Sequence, residues 1–202
     1  MANTPAPLIL NTLSDKRLIT LLLQSAVGVM PTDTVYGLVG RAVDPAAVQR
    51  LYALKHREHK PGTIIAASID QLVELGLKAR YLKAVEAYWP GRISIVIPSA
   101  ELAYLHQGVG SLAVRVVADK DLQALLEQTG PLLTSSVNDP GQPPANHLQE
   151  AQAYFADKVD FYVDGGDLSD RAASTVIRIV DDAVEMLRAG AVKLDEGGRI
   201  IE

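Results

Sequence analysis

Two threonine hydroxyls, a carboxylate and a phenol stand within eight residues in Pro31-Thr32-Asp33-Thr34-Val35-Tyr36-Gly37-Leu38, directly after the apolar run Val27–Met30. A β-rich run followed by such a cluster puts polar groups at a strand end, where loops on a rigid support carry binding and catalytic groups. As a plain turn, the same segment would have Asp33 bonding its own backbone and Tyr36 packing. Further along, Lys55-His56-Arg57-Glu58-His59-Lys60 gathers three permanent cations after a helical pattern whose apolar positions are Val48, Leu51, Tyr52 and Leu54. Cations there meet the negative end of the helix macrodipole, which by itself explains a solvated basic terminus. Pro61-Gly62 and an apolar run follow at once, however, so the cations sit on a rim beside a sheet. A rim of Lys and Arg receives polyphosphate.

Arg115 lies inside Leu112-Ala113-Val114-Arg115-Val116-Val117, and a guanidinium within so apolar a run needs an anion. Either a carboxylate of the protein pairs with it or it faces an anionic ligand. Arg188, after Met186-Leu187 and before Ala189-Gly190, poses the same question, and two such arginines favour a ligand. Ser135-Ser136-Val137-Asn138 follows Leu132–Thr134, and Ala173-Ser174-Thr175-Val176 opens another β-rich run. Hydroxyls and amides at such turns suit phosphate and carboxylate oxygens, although they are also ordinary loop chemistry.

The elements that must position these groups alternate in period. Helical spacing runs over Asp15–Ala26, Pro45–Arg57, Ile69–Lys78, Arg80–Tyr88, Asp119–Thr129 and His147–Asp157. Short β-rich runs are Val27–Met30, Thr63–Ala67, Ile93–Ile97, Leu112–Val117, Leu132–Ser135, Asp160–Val163, Thr175–Val180 and Ala183–Leu187. The fold class is α/β or α+β. Ser14 and Asp44-Pro45 read as helix starts. The pair Asp181-Asp182 predicts an antiparallel hairpin, hence a mixed rather than parallel sheet. The Pro- and Gly-rich stretch Asn138–Asn146 is a loop, and Asp195–Glu202 is a short terminal strand or tail. No repeat or linker divides the chain, so one domain over residues 1–202 is expected, with no additional C-terminal domain.

Composition narrows the function classes. The 202 residues carry 19 Lys and Arg against 24 Asp and Glu, a formal charge of −5, which argues against a broad nucleic-acid-binding face. There is no cysteine, which excludes a disulfide framework, a zinc-thiolate site, an iron–sulfur cluster and a Cys nucleophile. No run reaches the ~20 apolar residues of a spanning helix, and no basic segment precedes an apolar one at the N-terminus, which makes the cytoplasm the default expectation.

Taken in order, the segments resemble the YrdC-like family of threonylcarbamoyl-AMP synthases. The family's Pro-Thr-(Asp/Glu)-Thr-x-Tyr-Gly-Leu is similar to Pro31–Leu38, its Lys-x-Arg-Pro to Lys55–Glu58 and its Trp-Pro-Gly to Trp89-Pro90-Gly91. Its Ala-Val-Arg strand resembles Ala113-Val114-Arg115, its Ser-Ala-Asn-x-Ser-Gly resembles Ser136–Gly141, its Ser-Thr-Val resembles Ser174–Val176 and its Arg-x-Gly resembles Arg188–Gly190. Seven segments over about residues 14–191 cover nearly the whole chain.

The resemblance implies an α/β fold with a twisted mixed sheet and flanking helices around a deep, positively lined cavity. It implies that L-threonine, bicarbonate and ATP, the last with Mg²⁺, give L-threonylcarbamoyl-AMP and pyrophosphate. That is the first step of N6-threonylcarbamoyladenosine formation at position 37 of tRNA, with a downstream tRNA-modifying transferase complex as partner, possible RNA contact and no membrane. Carried over by position, Thr34, Arg115, Thr134 and Ser174 would bind L-threonine. Lys55, Arg57, Pro61, Ser111, Ser136, Asn138, Pro144 and Arg188 would meet ATP, with Lys55 and Arg57 catalytic and no metal ligand from the protein. Two alternatives stay open: a paralogue that binds nucleotide or RNA without activating threonine, and carbamoyl-adenylate chemistry with another acyl partner.

Overall fold

Each β-rich run lies between spans that must bury an apolar stripe, and the outcome is a single large sheet covered on both faces. The computed structural model describes residues 6–56, 58–138, 142–181 and 183–201. Along the chain the elements are β1 (Leu8–Leu10), α1 (Lys16–Leu23), β2 (Gly28–Pro31), β3 (Tyr36–Arg41), α2 (Pro45–Lys55), β4 (Thr63–Ala66), α3 (Ile69–Glu74), α4 (Ala79–Lys83) and β5 (Ile93–Pro98). They continue with α5 (Ala103–His106), β6 (Ser111–Val116), α6 (Lys120–Thr129), β7 (Leu132–Ser136), α7 (Leu148–Phe155), β8 (Phe161–Val163), β9 (Thr175–Val180) and β10 (Ala183–Arg188). A separate ribbon of β11 (Lys193–Leu194) and β12 (Ile200–Ile201) closes the order.

The ten-stranded sheet runs β1-β8-β2-β3-β7-β4-β6-β5-β9-β10. It is mixed, as the sequence predicts: β4 pairs parallel with β6 and β5 with β9, while β3 and β4 both flank β7 antiparallel. Successive residues feed opposite cores. Ile64 belongs to the cluster that holds Val48, Leu51 and Leu133, and Ile65 to the one that holds Leu18, Leu122 and Leu126. Strands buried on both faces lose the alternation of polar and apolar residues.

That loss explains the largest difference from the sequence reading. Gly37–Arg41 is not loop: β3 pairs antiparallel with β2, Met30 opposite Gly37, and the polar cluster Thr32–Val35 is the turn of this hairpin. The short β1 and α5 also escape detection, being three and four residues long. Helix α1 is capped by Asp15, not Ser14, its carboxylate accepting from Arg17 N. The span over 69–78 ends early because Gly76 takes φ +115°, and that over 80–88 ends at Lys83 and resumes as a 3₁₀ turn at Glu86–Tyr88. The hairpin of β9 and β10 forms as expected, Ala183 opposite Val180; its Asp182 lies outside the described residues.

Candidate functional site

A cavity of about 220 Å³ opens where the β2–β3 turn, the starts of β4 and β9, the end of β7, the middle of β6 and the end of β10 meet. Topology brings them together: β7 sits between β3 and β4, and β6 between β4 and β5, so strand ends from distant sequence face one space. Two glycines let the backbones close in. A Cβ on Gly37 would lie 2.4 Å from Thr134 Oγ1, and one on Gly62 would lie 2.6 Å from the carbonyl oxygen of Thr134.

The polar groups on the wall have defined roles. Thr32 Oγ1 donates to the Val35 carbonyl at 2.7 Å and accepts from Thr34 N at 3.2 Å. Its hydroxyl proton is thereby spent, so at the 3.1 Å contact between the two hydroxyls Thr34 donates and keeps its own lone pairs as acceptors. The fully buried Ser94 Oγ accepts from Arg115 at 3.0 Å and donates to Ser174 Oγ at 2.9 Å. Arg188 donates to the same Ser174 Oγ at 3.0 Å. With both lone pairs of Ser174 taken, its hydroxyl proton remains to be donated. The wall thus offers an acceptor at Thr34 and a donor at Ser174.

Arg115 is 2% exposed and its anion is a protein carboxylate, Asp33 Oδ1 at 2.7 Å. Of the two partners the sequence left open, the structure supplies the internal one, and the guanidinium is shared rather than wholly given to a ligand. Its Nε and the second carboxylate oxygen of Asp33 have no hydrogen-bond partner although both are buried. One donor and one acceptor of this buried pair thus stay unpaired, and Arg115 lines the cavity whereas Asp33 does not. Tyr36 closes this wall: its hydroxyl accepts from Gly165 N at 2.8 Å and donates to the Gly166 carbonyl at 3.0 Å. Burial pushes its pKa up, so the phenol stays protonated.

All four residues that the family resemblance assigns to L-threonine, Thr34, Arg115, Thr134 and Ser174, line this one cavity. Of those assigned to ATP, Pro61, Ser136 and Arg188 line it as well. Lys55 does not; it is 4% exposed, and its ammonium donates to Ser136 O at 2.8 Å, to the Asn138 carbonyl and to Asn138 Oδ1 at 3.0 Å, tying the exit of β7 to α2. Asn138 is engaged in that tie and is not on the wall either. Ser111 starts β6 opposite Pro98, two residues before the wall residue Ala113. Pro144 lines a different, open groove with Tyr154. Arg57 lies outside the described residues. Asp33 and Ser94, which complete the site, were missed as site residues. Asp33 was visible as a carboxylate in the turn motif, whereas Ser94 carries no local signal within an apolar strand.

Among the described residues no group of three or more His, Asp or Glu is placed to hold a metal ion, and no helix is long and apolar enough to cross a membrane.

Comparison with known proteins shows the family and the fold. The family model Sua5_yciO_yrdC, described as telomere recombination, matches residues 20–190. A Mycobacterium leprae protein provisionally named threonylcarbamoyl-AMP synthase is 34% identical over 176 residues, 82% of this chain and 78% of that protein. The structure of Pyrococcus abyssi Sua5 complexed with L-threonine superposes with a TM-score of 0.81 at 28% identity, covering 93% of this chain; this chain spans 58% of that one. Escherichia coli YciO shares the fold at a TM-score of 0.76 and 21% identity, over 95% of this chain and 98% of that one. The matched span, the shared fold and the motifs gathered around one cavity show that the chain belongs to the Sua5/YciO/YrdC family.

Proposed function

We propose that the protein makes L-threonylcarbamoyl-AMP from L-threonine, bicarbonate and ATP, releasing pyrophosphate, as the first step toward N6-threonylcarbamoyladenosine at position 37 of tRNA in the cytoplasm. The observation that carries the reading is the convergence of Thr34, Arg115, Thr134 and Ser174 on a cavity of about 220 Å³. That volume falls below the roughly 300–1,000 Å³ of pockets for drug-sized ligands, so it suits an amino acid, with the nucleotide at the mouth. The threonine complex of the P. abyssi relative and the names of the curated relatives support the same reading.

The chemistry follows from these positions. The amine of threonine and bicarbonate give a carbamate with loss of water, and a carbamate oxygen attacks the α-phosphorus of ATP while the bond to pyrophosphate breaks. No covalent nucleophile is required, and the protein's contribution is positioning and charge stabilisation. Arg115, which lines the cavity and is held there by Asp33, would meet the threonine carboxylate. Arg188, at the open end beside Ser174, would meet phosphate. Mg²⁺ would arrive with the nucleotide and would offset the charge of the departing pyrophosphate; no protein cage is assigned to it. A downstream transferase complex that passes the product to tRNA completes the proposal.

Pyrophosphate release with bicarbonate and, in parallel, threonine, serine or valine tests it. Threonine is the best substrate. Serine keeps the hydroxyl and loses one methyl, worth ~0.8 kcal/mol of apolar burial or about fourfold, so it reacts more slowly. Valine fails, because a site built to bond a hydroxyl strands its own polar groups against an apolar isostere. Equal release with all three, or with none, would overturn the reading in favour of a nucleotide-binding relative without threonine activation.

A further inference from the structure

His106 is 5% exposed and lies outside the cavity, at the end of α5. Its Nδ1 accepts two backbone amides, Gly108 N and Gly110 N, each at 3.1 Å, which makes the ring the tautomer protonated on Nε2. That Nε2 is buried and has no partner. A buried donor left unpaired is costly, so the ring is retained for what Nδ1 does. It folds the turn Gln107–Gly110, in which Gln107, Gly108 and Gly110 all take positive φ, at +51°, +84° and +78°.

The turn is a dock for the segment that follows the basic end of α2. Gln107 Oε1 accepts from Lys60 N at 3.1 Å, and the Gln107 carbonyl accepts from His59 Nδ1 at 2.9 Å. One residue before His106, the Leu105 carbonyl accepts the Tyr52 hydroxyl at 2.6 Å, and that hydroxyl in turn accepts from Gly62 N at 3.2 Å. His59 itself is held at φ +53° and His56 at +48°, conformations that cost a non-glycine residue energy and persist only where the surroundings enforce them. Four bonds thus run from α5 and its turn, through α2, to the segment that leads into the cavity wall at Pro61 and Gly62.

We propose that His106 and Gln107 are positioning residues for nucleotide: the imidazole shapes the turn, and the turn sets the backbone of His59–Gly62, and with it Pro61, the residue of this segment that is assigned to ATP and lines the cavity. The assignment rests on the reading of ATP as substrate. Neither residue lines the cavity, and the segment they hold carries Pro61 but none of Thr34, Arg115, Thr134 and Ser174, so their loss acts on ATP more than on threonine.

The test compares His106→Leu, which removes the acceptor, His106→Asn, whose amide oxygen can take the place of Nδ1, and Gln107→Ala. Calorimetric titration with Mg·ATP and separately with L-threonine, together with amide hydrogen exchange at Lys60 and Gly62, supplies the readouts. His106→Leu and Gln107→Ala weaken ATP binding by about tenfold, the scale of one or two lost hydrogen bonds, lower threonine affinity by less and speed exchange at Lys60; His106→Asn restores ATP affinity and slow exchange. Unchanged ATP affinity and exchange in folded variants overturns the proposal, as does equal loss of both ligands or an Asn variant as impaired as the Leu one. A wild-type protein that fails to bind ATP sinks the proposed function instead, and the exchange rates then decide alone whether the turn holds the segment.

Discussion

Burying Arg115 and Asp33 strips water from two charges, and in the interior their mutual attraction offsets this only when geometry and further hydrogen bonds are good. Here the guanidinium has a 2.7 Å carboxylate contact and a serine hydroxyl, while one atom of each partner stays unpaired. In the proposed function that residue is both strut and recognition group, and two substitutions separate the roles. Arg115→Ala leaves Asp33 charged and alone, which costs roughly 3–5 kcal/mol and lowers the urea midpoint. Arg115→Lys keeps the charge but gives up the planar fork, so threonine binding weakens more than ATP binding. Equal weakening of the two ligands by the lysine variant, measured by calorimetry, would reduce Arg115 to scaffold. That Arg115 needs an anion is legible in its apolar strand. Its partner is not, because Asp33 stands 82 positions away and only the neighbouring elements bring it near.

Among the elements, close approach of β4 to β7 shapes the cavity wall. The segment entering β4 runs against β7 so tightly that a methyl at Gly62 would overlap the Thr134 carbonyl, which is backbone and cannot swing aside. Gly62→Ala therefore pushes β4 and β7 apart at the wall, with a stability loss of about 1–3 kcal/mol, the range for overpacked sites. Gly40→Ala is the control on β3: its Cβ would sit 3.4 Å from Ala47 Cβ and Val27 Cγ2, ordinary contact distances, and its urea midpoint stays close to the wild type. A Gly62→Ala variant as stable as Gly40→Ala would show that the two strands part freely. The hairpin of β2 and β3 teaches the same point about reading sequence. Pro31–Leu38 reads as a loop because glycine and valine buried on both faces give no alternation, yet the chemistry of its turn was legible.

At the scale of the molecule, two apolar cores on opposite faces of one sheet bury polar side chains with them. Tyr162 on β8 is 1% exposed and donates to the Ala156 carbonyl at 2.8 Å; burial, with Asp157 adding repulsion, pushes its pKa from 10.0 up to about 12. The unfolded chain releases this proton near pH 10 while the folded chain holds it until about 12, so the folded state binds more protons across that window. Stability contributed by this group is complete below pH ~10 and is lost as pH rises toward 12. Tyr36 and Tyr104 shift in the same direction through burial, and the losses accumulate. Thermal midpoints followed from neutral to alkaline pH fall steeply above about 10, and Tyr162→Phe makes the fall shallower. A slope identical in the variant would assign the alkaline loss to other groups.

The sequence by itself determined the mixed α/β class and most helices and strands, since hydrophobic period is a local property, and its short motifs carried the resemblance that implies which residues bind threonine in the proposal. It also showed that Arg115 and Arg188 required explanation, because a cation beside apolar strand residues is costly wherever it stands. The tertiary structure alone decided which groups meet. Lys55 reads as a cation for phosphate, but three acceptors of Ser136 and Asn138, about 80 positions on, take its ammonium inside the protein. Ser94 has no motif, yet it relays Arg115 to Ser174 because β5 lies beside both β6 and β9. His106 looks like an isolated polar residue until two amides of a turn converge on it. Local pattern fixes what each segment is, whereas donors and acceptors are apportioned by strand order, and strand order in a sheet with crossovers is a long-range outcome.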